Sequence, residues 1–475
     1  MTSDDPRASR AADHDALATP AATSDPAAPP APLAPLLELR DGLPLLTETP
    51  PFLAEACTAL AAASGPVAID AERASGYRYS PRAYLIQLRR EGAGTFLVDP
   101  IGFDSLDPLQ EALAGTEWIL HAATQDLACL AEVGLTPSEL FDTELAGRLL
   151  GYPRVGLATL VETLLGYRMK KEHSAADWST RPLPESWLLY AALDVEVLVE
   201  LRALLADELE ATGKAEWARQ EFEALKSFVP ATRIEPWRRT SGLHRVRGRR
   251  LMGAVRELWL ARDTIARDRD LSPGRIIGDA AIVAAAQAMP TTRAELMGTR
   301  GFHGRGASRY CDEWLAALHR AATMDEDDLP ARAPRTDGPP VPRAWAERDP
   351  VAAERLVLAR DGLAQLSEEH DVPVENLLTP DSARRLLWSP PGEGDAAAVA
   401  ARLTEYGARP WQIELVGPVL VDAIAEAGPA VARRVAAAQA AAPPEELLPD
   451  DDLPDDDLPD DGAQPAEGED VAEDD

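Results

Sequence analysis

Cysteine is scarce: Cys57, Cys129 and Cys311 are scattered over 475 residues without paired spacing. That argues against a disulfide framework and a thiolate zinc site, and it fits a reducing cytosol. Also lacking is a basic start that leads into an apolar segment, since the chain opens MTSDDPRASRAADHDALATPAATSDPAAPPAP. No later stretch reads as a run of about eighteen apolar residues. A soluble, cytoplasmic protein with no membrane partner is expected. Basic residues are missing from the other end: residues 443–475 hold sixteen Asp and Glu and no Lys or Arg, about half of the net charge of −33. The charge that looks hostile to nucleic acid is thus largely a tail, and the body is much less acidic.

What is present is enough chain for about three globular units. Residues 1–33 have almost no large apolar groups to repay the entropy of ordering and read as a disordered tail. From 34 to 225 strands alternate with helices: LPLL (43–46), a helix opened by Thr49 and Pro50, VAIDAE (67–72), YLIQL (84–88), TFLVDP (95–100) and WILHAA (118–123). The middle runs are joined by loops too short for helical crossovers, whereas LATLVETLLG and SWLLYAALDVEVLVELRALLADELEATG have helical spacing. The expectation is an α/β unit with a mixed sheet flanked by helices.

Beyond a break at Pro230–Trp237, residues 237–323 read as helical, 324–344 as a Pro-rich linker, 345–440 as a second helical block and 443–475 as a disordered acidic tail. LARDTIARDRDLSPGRII (260–277) matches LARDGLAQLSEEHDVPVENLL (358–378) at Leu-Ala-Arg-Asp, at a following Pro and at an apolar pair, which points to a diverged tandem repeat. Residues 237–323 carry sixteen Arg against eight acids, while 343–434 carry ten against fifteen. Only the first block suits phosphate.

Four acids stand where a core or turn residue is normal. Asp70 and Glu72, two apart on a strand, project from one face and repel unless they are solvated or a cation sits between them. Asp126 follows the apolar run ILHAATQ, and Asp194 lies four residues after Tyr190 on a helix, which stacks the two on one face. Each has a plainer reading: a solvated strand end, a helix N-cap at Asp126, a core Tyr beside a surface acid. Together, four hard oxygen donors suit Mg2+ or Mn2+ rather than zinc, and a pair of such ions roughly 3.5–4 Å apart is the usual clamp for phosphoryl displacement.

The order D-x-E, then an Asp after LHAATQ, then Y-x-x-x-D resembles the three exonuclease motifs of the DEDDy 3′-to-5′ exonucleases. The helical blocks are similar to HRDC domains, and one exonuclease unit followed by two of them resembles the ribonuclease D family. The likeness spans about residues 40–440 and includes FDTELAGRLLG (141–151) and DWSTRPL (177–183). It departs at Ala71, Arg73 and Gln125, where the family often has Thr, Phe and an acid; Arg73 bears on the wedge against the terminal base.

The resemblance implies a ribonuclease H-like mixed sheet followed by two all-α HRDC-like domains, and a two-metal exoribonuclease that releases nucleoside 5′-monophosphates from structured RNA such as tRNA precursors. It further implies that Asp70 bridges two Mg2+ or Mn2+ ions, Glu72 and Asp194 complete the site of the attacking water, Asp126 supports the second ion and Tyr190 orients the water. Candidates for the substrate path are Gln87, His121, Lys170, Lys171 and Trp178, although burial or a structural hydrogen bond is the plainer role for Trp178 and His121. Tyr77, Tyr79 and Arg82 stand in an aromatic and basic loop that suits a single-stranded end or, equally, a solvated loop. Arg238, Arg239, Arg245, Arg247, Arg249 and Arg250 are candidates for the RNA body. Action on DNA ends and a catalytically silent RNA-binding adaptor are the competing readings. The partner expected is RNA, and with no coiled-coil pattern the chain is expected to be a monomer.

Overall fold

The computed structural model describes residues 33–170, 175–332, 338–392 and 395–441. Most of the N-terminal tail, Lys171, part of the Pro-rich linker and the acidic tail lie outside the described residues. Six strands form one mixed sheet: β1 (Leu46–Thr47), β2 (Val67–Arg73), β3 (Ala83–Arg90), β4 (Gly94–Val98), β5 (Glu117–Leu120) and β6 (Glu139–Asp142). Their order is β1-β4-β3-β2-β5-β6, antiparallel through β2, β3 and β4 and parallel at β1, β5 and β6. The short joints between β2, β3 and β4 make the antiparallel part, as the loop lengths require.

Strand alternation sorts the residues of β2 into two layers. Ile69 and Ala71 join Ile86, Leu88 and Val98 beneath Leu53 and Leu60 of the helix Pro50–Ala62. Ala68 faces Leu198, Leu201 and Leu205 on the other side, and Leu85 and Leu97 pack there with Ala191 and Ala192. Asp70 and Glu72 share that second face, which is covered by the helices Glu185–Glu196 and Leu198–Ala211.

Two elements differ from the sequence reading. The edge strand β6 is missing from it, because four residues hold only Leu140 and Phe141 as apolar markers and pairing with β5 supplies the rest. The long helical run from 186 is two helices, broken at Val197, whose backbone (φ −122°, ψ 9°) leaves the helical region. The DWSTRPL segment is tied to the sheet by Arg181, which forks onto Asp99 (2.6 and 2.8 Å) and reaches the Tyr84 carbonyl (2.7 Å).

The two helical blocks share an order of elements. A helix of 21 residues (Arg249–Arg269, Pro350–His370) ends at an Asp with positive φ (Asp270, 46°; Asp371, 48°), and a four-residue turn of helix (Pro273–Ile276, Val374–Leu377) follows. The first block has its own core around Phe302 and Trp314. The second shares one continuous apolar cluster with the sheet unit, in which Trp345, Leu356 and Leu420 join Leu201, Leu205 and Phe222. At that seam Trp217 stacks on Trp411 (4.8 Å), and Glu221 accepts from the Trp411 indole (3.0 Å) and Arg409 (2.9 Å). Gly151 lets the two backbones touch: a Cβ there would sit 2.6 Å from the Asp371 carbonyl oxygen, at a φ of +79°.

The helix Pro410–Ala441 is, by length and composition, apolar enough to cross a membrane, which the sequence reading did not anticipate. Its buried residues, among them Trp411, Val416, Leu420 and Ile424, lie in the shared core. Glu221→Ala strips the acceptor from both partners across the seam. Thermal or denaturant unfolding of the full chain should show a loss of about 2 kcal/mol, the scale of hydrogen bonds to a charged group; unchanged stability would mean that the apolar contacts alone hold the seam.

Candidate active site

The site forms where β2 ends. A register irregularity between Glu72 and Arg73 stops regular pairing with β3 just past the D-x-E pair. Asp194 and Tyr190 stand one turn apart on the covering helix, and the Tyr190 hydroxyl hydrogen-bonds Asp194. One carboxylate oxygen from each of Asp70, Glu72 and Asp194 lies within 4.8 Å of the others. Asp126 lines the same cleft without joining that set of three. It precedes the helix Leu127–Glu132, yet its side chain makes no capping hydrogen bond, so the N-cap reading does not hold.

The loop that carries Asp126 is fixed from below by Asp142, which the sequence reading did not single out. Its carboxylate accepts from the backbone N–H of Ala122 (3.0 Å) and Ala123 (2.8 Å) while capping Glu144 (2.9 Å). These bonds hold Ala122 at a positive φ of 59°. The one signal in the sequence was an Asp directly before a helical run, and that cap preference says nothing about a second loop.

Burial and mutual repulsion act in the same direction on the acids. Burial first, then the charges of Asp70, Asp194 and Asp126, push the Glu72 carboxyl up to about 10. Burial and then the Asp70 charge raise Asp126 and Asp194 well above the usual carboxylate range, and burial raises Asp70. Arg73 is the cation that opposes this at Asp70, Glu72 and Asp126. Burial also raises the Tyr190 hydroxyl, followed by the charges of Asp194 and Glu72, so it stays protonated. A dense, oxygen-only donor set that is costly to ionise without a counter-charge fits a hard divalent cation.

The cleft has a volume of about 410 Å³ and is also lined by His121, Gln125, Met169 and Lys170. The His121 ring packs its Nδ1 against the Thr143 hydroxyl (2.9 Å), which in turn reaches the Leu120 carbonyl (3.2 Å). One hydroxyl proton satisfies both contacts only if Thr143 donates to Leu120 and His121 donates from Nδ1. Burial lowers the His121 pKa to about 4, so the ring is neutral and Nε2 is an acceptor.

Other candidates lie elsewhere. Gln87 is fully buried under the covering helix, and Trp178 is fully buried beside Trp187 (5.3 Å). Tyr77 lies under the Arg275 guanidinium (4.4 Å), and Tyr79 donates to Asp263 (3.1 Å) while its backbone N–H, with that of Ser80, donates to Asp270. This aromatic loop therefore docks the first helical block. Arg82 lines a separate depression with Ser80, Phe103 and Glu132. Arg238, Arg249 and Arg250 are engaged with Glu235 and with the 321–331 segment, leaving Arg239, Arg245 and Arg247 exposed.

Comparison with known proteins agrees with this layout. A 3′-5′ exonuclease model matches residues 46–210, an HRDC domain model residues 252–318, and a 3′ to 5′ exonuclease C-terminal domain model residues 338–424. Ribonuclease D of Granulibacter bethesdensis is 32% identical over 332 residues, which cover 67% of this chain and 80% of that protein. The chain belongs to the ribonuclease D family. It is a 3′-to-5′ exoribonuclease. Ribonuclease D of Sphingobium indicum is 30% identical over 62% of this chain and 77% of its own length. Among solved structures, a protein from Bifidobacterium adolescentis superposes with a TM-score of 0.75 at 36% identity, covering 82% of this chain and 99% of that one. Escherichia coli RNase D, an exoribonuclease involved in structured RNA processing, gives 0.59 at 26% identity over 80% and 98%.

The raised carboxyls of this family member have a pH consequence. The folded chain holds protons that the unfolded chain has lost between the ordinary carboxylate range and about 10 for Glu72, so without a cation the cluster loses stability as pH rises through that window. A divalent ion must displace those protons. Calorimetric Mn2+ titrations should therefore show affinity tightening from pH 6 to pH 9 by about tenfold per unit for each proton released; a flat profile would mean the acids are already ionised.

Proposed function

We propose that the cleft hydrolyses the terminal phosphodiester of RNA with two divalent cations, Mg2+ or Mn2+, held by Asp70, Glu72, Asp126 and Asp194. The observation that carries this is the approach of three carboxylates from two separate elements to within 4.8 Å. Bound cations supply neutralisation of the phosphate and acidification of the attacking water. Asp70, Glu72 and Asp194 would hold the cations from the strand end and the covering helix, and Asp126 would contribute from its own loop.

The chain's other groups orient the reactants. Tyr190, kept protonated and hydrogen-bonded to Asp194, positions the attacking water rather than removing its proton. The neutral His121 offers Nε2 to a hydroxyl of the terminal ribose, and Lys170 at the cleft meets phosphate. The body of a structured RNA, such as a tRNA precursor, lies against the exposed Arg239, Arg245 and Arg247 while its single-stranded 3′ end enters the cleft. The exonuclease unit occupies 34–225, the basic HRDC unit 237–323 and the second HRDC-like unit 345–440, and the enzyme acts as a cytoplasmic monomer.

RNA with a 3′ tail and a 5′ label should shorten by one nucleotide at a time in Mg2+ or Mn2+, and Asp70→Asn or chelator should stop it. Tyr190→Phe should lower kcat by about a hundredfold with little change in KM, the scale of a lost positioning group in proton-transfer chemistry. His121→Ala should narrow the preference for a ribose over a deoxyribose at the terminal position; an unchanged preference would remove His121 from that role.

A further inference from the structure

Gln87 lies outside the cleft lining, and its burial needs a separate explanation. It is 0% exposed, in the middle of β3, and neither its amide nitrogen nor its amide oxygen has a hydrogen-bond partner among the described residues. A buried primary amide left wholly unpaired is destabilising at both of its polar atoms, so an apolar side chain would serve the core better. Such an orphan calls for a local reason.

The strand register supplies one. Gln87 is directly opposite Asp70 on β2 and Leu97 on β4. Directly opposed residues project from the same face with Cβ atoms about 4.5–5.5 Å apart. Along β3 the neighbours on that face are Leu85 and Arg89. Leu85 and Leu97 belong to the apolar cluster with Ala191 and Ala192 of the covering helix. Arg89 has no acceptor to give, and its guanidinium is spent on Glu196 (3.2 Å), Asp41 (3.2 Å) and Thr95 (2.7 Å). Of the four residues that flank Gln87 on this face, Asp70 is thus the one whose side chain can accept from its amide. The Asp70 carboxylate in turn accepts from the Ala71 backbone N–H.

We propose that Gln87 is a positioning residue whose side-chain N–H, directly or through one buried water, holds the Asp70 carboxylate in its cation-binding orientation. The proposal rests on the reading of Asp70 as a metal ligand. Carboxylate ligands are generally oriented by a second hydrogen bond from behind, and its loss weakens metal affinity about 10–100-fold. The amide, unpaired in the cation-free protein, is used when Asp70 holds a cation.

Two properties should then move in opposite senses. Gln87→Met keeps the length of the side chain and removes both orphaned polar atoms. In the full-length protein the cation-free unfolding temperature should stay the same or rise, while Mn2+ affinity by calorimetry should fall about 10–100-fold. Activity on labelled RNA should recover at saturating Mn2+ with KM unchanged, and Gln87→Leu should behave alike. In an Asp70→Asn background the Gln87→Met change should leave the residual Mn2+ affinity alone. A lower unfolding temperature with wild-type Mn2+ affinity would overturn the proposal and make Gln87 a structural core amide. If Asp70→Asn itself binds Mn2+ as wild type does, the metal reading of the site fails, and the proposal with it.

Discussion

The structure depends on an unfavourable interaction: carboxylates held together away from water. Asp70, Glu72 and Asp194 come within 4.8 Å with Asp126 beside them, and burial and repulsion both raise their proton affinity. No packing argument produces such a cluster, since each ion costs desolvation and each neighbour adds to it. The surrounding fold has to hold it in place. β2 is gripped on both sides by β3 and β5, and the covering helix is fixed by Ala191, Ala192 and Val195 against the sheet. The rigidity needed to oppose repulsion is the same rigidity that preorganises a cation site.

The helical blocks are attached in two different ways, and the difference follows from what each must bury. The second block shares a continuous apolar cluster with the exonuclease unit, sealed by Trp217, Trp411 and Glu221. The first block has a core of its own and meets the exonuclease unit mainly through Tyr77, Tyr79 and Ser80, which engage Asp263, Asp270 and Arg275. That loop leaves the D-x-E strand directly. The basic block is thus tethered to the chain segment that follows the acids, while the acidic block completes the core behind them.

Much of the architecture was legible because it rests on short-range rules. Short apolar runs joined by brief loops marked β2 to β5, and Thr49 with Pro50 marked the first helix. β6 was not legible, since a four-residue edge strand carries too few alternations to stand out and gains its identity from pairing with β5. Trp178 and Tyr77 are both aromatic candidates in the sequence, with burial the plainer reading for Trp178; the first is wholly buried and the second lies under Arg275 of a neighbouring domain. Residue type alone does not report which surface meets which.

By itself, then, the sequence determined that this is a mixed α/β unit followed by two helical blocks, and that its four acids sit at strand exits or on an otherwise apolar helix. Only the tertiary structure decided which acids meet, that Asp126 stands beside the three instead of among them, that Asp142 fixes its loop, and that Gln87 lies behind Asp70 with its amide unpaired. The physical reason is range. Periodicity and capping act over a few residues, whereas the carboxylate cluster joins positions 70 and 194, whose distance apart is set by sheet register and helix packing.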